Sequence, residues 1–135
     1  MKQNNIDYIK YRLEQAYEKL KYSRILIKEG GYKDSLSRTY YAMFNAVLAL
    51  FVVRNLSART HKDVLFLFDK QFVKEGIIDT MFLEIIRDAF YNRIDADYKD
   101  FFIASKEIAD IQIKNAEIFI NEIKRILKEK YEVDV

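Results

Sequence analysis

No proline interrupts the 135 residues of this chain, and only Gly30, Gly31 and Gly76 are glycines. A chain so poor in backbone breakers can run long unkinked helices, and its few glycines become the natural stops. Ile6, Ile9, Leu13, Ala16, Leu20 and Ile27 recur at three- and four-residue steps, with Ser23 filling the gap. That spacing predicts a first helix over about 6–29, closed by Gly30-Gly31. A second helix over about 32–55 carries Leu36, Tyr40, Met43, Val47 and Leu50 on one stripe, with Phe44, Leu48, Phe51 and Val52 beside it. It is apolar nearly all round, the pattern of a central helix contacted on several sides or used in an oligomer interface.

Thr60, with Asp63 three residues on, predicts the cap of a short third helix whose apolar face is Val64, Leu65, Phe68 and Phe72 and which ends near Gly76. Asp79 or Thr80 can cap a fourth, with Phe82, Ile86, Ala89 and then Arg93 on its stripe. A last helix over about 99–129 has Ile113, Ala116, Ile120, Ile123 and Leu127 on one face and Ile108, Ile111 and Ile118 on a second. Two faces suggest two partners, one within the bundle and one a second copy of the chain, although one wide interface also explains them. The expected fold is all-α: one domain over residues 1–135, an antiparallel up-and-down bundle of four main helices plus one short helix over about 6–129, with a tail that frays from Lys128.

Several chemistries are excluded by what is missing. Without cysteine there is no disulfide framework or thiolate metal site. The apolar run from Tyr40 to Val53 is shorter than the roughly 20 residues needed to cross a bilayer, and the charged start has no signal-peptide pattern, so a cytoplasmic protein without membrane contact is expected. With His61 as the one histidine, a Ser-His-acid arrangement has no candidate. Asp95, Asp97 and Asp100 lack the glycine turn of a calcium loop and read better as helix caps, so neither metal nor cofactor is expected. Basic and acidic side chains number 23 and 21, too even a balance to announce a nucleic-acid binder by charge alone. Lys124, Arg125, Lys128 and Lys130 make a basic end to the last helix, a placement that suits its dipole.

What stands out is polar residues where the pattern wants apolar ones. Arg93 inherits a core-facing position, and Asp34, Arg38, Tyr41 and Asn45 lie along one line of the central helix. Such groups need partners. Arg93 can be an anion clamp for phosphate, or a buried arginine paired with Asp95, Asp97 or Asp34 to hold helices in register. Arg93 and Tyr98 are five apart, about 140° around a continuous helix, so both face one cleft only if the fourth helix ends near Ile94 or Asp95.

The stretches Gly31-Tyr32-Lys33-Asp34-Ser35, Ser37-Arg38-Thr39-Tyr40-Tyr41-Ala42-Met43-Phe44-Asn45-Ala46, His61-Lys62-Asp63-Val64, Phe72-Val73-Lys74-Glu75-Gly76 and Arg93-Ile94-Asp95-Ala96-Asp97-Tyr98 together resemble the HEPN domain (higher eukaryotes and prokaryotes nucleotide-binding) in its compact prokaryotic branch. The resemblance spans about residues 8–127. It implies a homodimeric bundle, a minimal nucleotidyltransferase protein as toxin–antitoxin partner, and a cleft for nucleotide or RNA around Arg93, with Arg38, Tyr41, Asn45, Asp97 and His61 as further ligand-binding candidates. Active members cleave RNA without metal, using an arginine and then a histidine. Arg93 matches the arginine, but Tyr98 stands where the histidine falls. A phenol, with its ordinary pKa near 10, exchanges protons poorly at neutral pH, so weak or absent catalysis is expected, with a ribonuclease using Arg93 and Tyr98 or His61 as the enzymatic alternative and a purely structural module as the third.

Overall fold

The computed structural model of the chain describes residues 1–135. It is an antiparallel helical bundle of four main helices, α1 (Gln3–Lys28), α2 (Tyr32–Phe51), α4 (Thr80–Tyr98) and α5 (Lys106–Tyr131), with a short α3 (His61–Phe68) between α2 and α4. A 3₁₀ turn (Val52–Arg54) extends α2, and a π-helical turn (Asp69–Val73) extends α3.

The breaks fall where local chemistry demands them. At the end of α1 the Gly31 N–H donates to the Leu26 carbonyl at 2.7 Å and the Gly30 N–H to Ile27 at 3.1 Å, with Gly30 at φ +84°. This closure needs a left-handed residue that glycine supplies without strain. Thr60 caps α3 by accepting from the Asp63 N–H at 3.1 Å, and Asp79 caps α4 by accepting from Met81 at 2.8 Å.

The central position of α2 follows from its pattern: Leu36, Tyr40, Met43, Ala46, Val47 and Leu50 are all buried, and α1, α4 and α5 pack around it. By length and composition Tyr32–Arg54 could cross a membrane, but most of its surface is covered by the bundle, as in a core helix. Ser23 lies in the α1–α2 seam, where its hydroxyl donates to the Ser35 carbonyl at 3.2 Å and pairs with Thr39 at 2.7 Å. A small hydroxyl there lets the two backbones approach while meeting its own polar need. Phe119 of α5 packs between Phe68 and Phe82, with ring centroids 5.8 and 6.1 Å away.

Two boundaries differ from the sequence expectation. The fourth helix does not stop at Ile94 or Asp95. It runs through Tyr98, because no breaker lies within it and Ala96 is buried against the bundle. The last helix therefore begins at Lys106 rather than 99, and its cap is Ser105, which accepts from the Ile108 N–H at 3.1 Å, not Asp95 or Asp97. The connecting loop turns at Phe101, a non-glycine residue at φ +60°. At the other end α5 stays helical to Tyr131 and Val133 is buried, its N–H donating to the Leu127 carbonyl at 2.9 Å, so ordered structure extends past Lys128.

Candidate functional site

The helical period that carries α4 past Ala89 brings Arg93 inward, leaving its side chain 16% exposed. Its guanidinium carbon lies 5.2 Å from the Tyr41 ring centre and 5.8 Å from Tyr40, a cation held over two π faces supplied by neighbouring residues of α2. Asp97, one turn further along α4, approaches Nε at 3.3 Å, but Nε has no partner in hydrogen-bonding geometry and no protein acceptor hydrogen-bonds any other guanidinium nitrogen. The arginine is thus anchored by stacking and by a charge contact within its own helix, and its donors are unspent.

His61 opens α3 and enters the same cluster. Its Nδ1 lies 2.7 Å from the Tyr40 hydroxyl, and its ring packs on Phe44 at 4.4 Å and edge-on to Tyr41 at 5.8 Å. Burial, and then the charge of Arg93, lower the imidazole pKa below its ordinary value, so His61 is neutral at pH 7. Burial also pushes the Tyr40 phenol well above its ordinary range, and the opposing pull of Arg93 does not overcome it. A neutral imidazole, a protonated phenol and a cation therefore meet where α2, α3 and α4 converge, and Nε2 of His61 makes no protein hydrogen bond.

The polar line of α2 divides. Asp34, Ser37, Arg38 and Tyr41 line a cleft of about 350 Å³ with Leu26 and Asp97; Arg93 does not itself line it but touches two of its walls, Tyr41 and Asp97. Asn45 turns elsewhere. It is buried, its amide donates to the Tyr41 carbonyl at 2.8 Å, and its oxygen accepts from Arg12 at 3.0 Å. Arg12 lies over Tyr8 and Tyr11 and was not anticipated, since it falls just off the stripe of α1.

Tyr98 is not brought to Arg93 within the protomer. Because α4 continues through it, the two residues diverge around the helix and Tyr98 is 75% exposed. Asp97, four residues on, shares the face of Arg93 instead. The buried arginine does not pair with Asp95 or Asp34, so no ion pair from it bridges two helices. Tyr40, which the periodicity assigns to the core, is the residue linking Arg93 to His61. At the basic end of α5, Arg125 is held by Glu122 and Glu129, and Lys124 lies over Tyr17 at 5.7 Å.

Comparison with known proteins agrees with this architecture. The sequence model of the HEPN domain matches residues 9–126. A protein of Methanocaldococcus jannaschii carrying the name "putative toxin" is 36% identical over 117 residues, covering 87% of each chain. A second from that organism, with the same description, is 33% identical and aligns over 87% of this chain and 80% of its own. A UPF0332 protein of Thermotoga maritima is 29% identical over 90% of this chain and 92% of its own length.

Proposed function

The chain belongs to the HEPN domain family, and from that premise we propose that its 135 residues form one HEPN-like domain acting as the toxin-type member of a toxin–antitoxin pair. In this reading it works in the cytoplasm as a homodimer beside a minimal nucleotidyltransferase partner. Its cleft around Arg93 binds the phosphate of a nucleotide or of RNA, with Arg38 and Tyr41 flanking the anion.

One observation carries the reading: Arg93 is largely buried and stacked on two tyrosines, yet none of its guanidinium nitrogens hydrogen-bonds protein. An arginine serving only to tie helices together spends its five donors on the protein. A planar fork kept unspent beside an open cleft fits a phosphate, which it can grip through two parallel bonds. Titration of the purified protein with a nucleoside triphosphate and with single-stranded RNA tests this. Saturable binding that Arg93→Ala abolishes without unfolding the protein is the expected outcome, and no binding of either probe overturns it.

His61 favours a second reading, as a metal-independent endoribonuclease. A neutral imidazole in the field of Arg93, in the tautomer that donates Nδ1–H to the Tyr40 oxygen and leaves Nε2 an acceptor, can take the proton of a ribose hydroxyl while the arginine holds the phosphate. Tyr98, exposed and diverging from Arg93, has no part in that arrangement within one protomer. Cleavage of RNA in the presence of EDTA, lost in both Arg93→Ala and His61→Gln, is its signature; cleavage that persists in either variant overturns it.

A further inference from the structure

A second cleft, of about 280 Å³, runs between α4 and α5. Its α4 wall is Asp88, Tyr91 and Asn92, which lie roughly 100–160° around the helix from Arg93 and so point away from it. Its α5 wall is Ile108, Ile111, Gln112 and Asn115. Gln112 is only 5% exposed, and its Oε1 is buried with no hydrogen-bond partner in the protein. An orphaned buried acceptor is costly, and a folded protein keeps few of them. No protein group holds the amide in either sense, so a half-turn about its broad, two-fold terminal torsion, which exchanges the buried oxygen for the N–H₂, can present Oε1 to the cleft.

The remaining walls narrow what fits. Asp88 is the sole charged group lining the cleft, so a phosphate is repelled and a cation attracted. Tyr91 is 60% exposed and offers a bare ring face. Ile108 and Ile111 are exposed apolar surface that continues along the same stripe of α5 to Ile118. The volume lies below the range of about 300–1,000 Å³ usual for whole small-molecule ligands, and suits one side chain.

We infer that this cleft receives an arginine side chain of a protein partner. A guanidinium carries donors and no acceptor, so it meets the Asp88 carboxylate and the Gln112 and Asn115 carbonyl oxygens without a mismatch. Its face stacks on Tyr91 and its methylene stem covers Ile108 and Ile111. Lysine, a point charge with no flat face, fits less well. A central arginine and tyrosine ringed by apolar contacts is the arrangement that dominates protein–protein affinity. The inference stands apart from the Arg93 site, which lies on another face of α4.

The test uses the full chain, ¹⁵N-labelled, titrated with N-acetyl-arginine amide and with N-acetyl-citrulline amide, which has the same shape without the charge. The side-chain amide signals of Gln112 and Asn115 should move saturably with the arginine probe, and citrulline should bind about tenfold more weakly or worse. A peptide with one arginine between leucines should bind more tightly than the single residue. Gln112→Met, which keeps the volume and removes the amide, should abolish the response; should that variant fail to fold, Asp88→Asn at its exposed position carries the same expectation. Arg93→Ala should leave the response intact, whether or not Arg93 binds phosphate. An equal response to citrulline, or none to arginine, overturns the inference. So does a response to single-stranded RNA in place of arginine, which makes the cleft a base site, or a shift of these signals on dilution alone, which makes the face a contact between copies of the chain.

Discussion

Two arginines sit half-hidden in this bundle and are treated in opposite ways. Arg54, at the end of α2, donates to the Gln71 carbonyl at 2.6 Å and to the Glu75 carboxylate at 2.6 Å, and covers the ring of Phe72 at 5.0 Å. Arg93, more deeply placed, stacks on Tyr40 and Tyr41 and hydrogen-bonds nothing in the protein. Both are held by aromatic rings, but one has its donors consumed in joining α2 to the π-helical turn and the other has them in reserve. The contrast separates an arginine whose donors are used in the fold from one whose donors are free for the proposed phosphate.

The sharpest way to break the contrast is to remove each arginine in turn. Arg54→Ala should destabilise the protein by about 2–3 kcal/mol, from lost charge-assisted hydrogen bonds and ring contact, and leave nucleotide or RNA binding unchanged. Thermal or denaturant unfolding beside a binding titration checks it. Arg93→Ala should do the reverse: a loss of phosphate affinity of about 2 kcal/mol, roughly thirtyfold, against a stability change of about 1 kcal/mol from the lost stacking. Were the two variants to destabilise equally with binding untouched, Arg93 would be a second structural arginine.

A smaller effect refines the picture. Asp97 competes for Arg93 across a partly exposed contact, so Asp97→Asn should raise phosphate affinity roughly threefold in the same titration. The smallest is a pH effect through His61. Its imidazole pKa is lowered in the folded state, so as pH falls through about 6.5 the unfolded chain takes a proton that the folded chain resists, and stability declines. Above that pH the contribution is fully present and flat. The thermal midpoint should therefore drop more for the natural chain than for His61→Gln between about pH 7.5 and 5.5.

Much of the bundle could be read from local pattern. The glycine closure after Lys28 and the caps at Thr60 and Asp79 are short-range chemistry, and the three-four spacing of Phe82, Ile86 and Ala89 carries Arg93 inward. The start of α5 was harder, because Asp95 and Asp97 are more conspicuous caps than Ser105, which has Ile108 rather than an acidic residue three places on. A helix ending at Asp95 would turn Tyr98 toward Arg93, whereas the continuing helix turns it to solvent. The resemblance offers His61 as a candidate, but its meeting with Tyr40 near Arg93 was not legible, since that depends on how the chain returns from α2 to α3, a long-range matter. Tyr40 was hidden differently: periodicity classes it as core, and it is, but its hydroxyl lies at the edge of that core.

That double membership of Tyr40 constrains how the site can move. Its ring is fully buried while its hydroxyl tethers His61, so the imidazole cannot swing away by a local loop opening that leaves the bundle untouched. The amides of α3 from Val64 onward, which have helical acceptors, should accordingly exchange as slowly as the helices around it, well behind the exposed loop at Phe101. Any ligand that repositions His61 must do so by shifting a core side chain, which makes the response of this cleft a property of the whole bundle's rigidity.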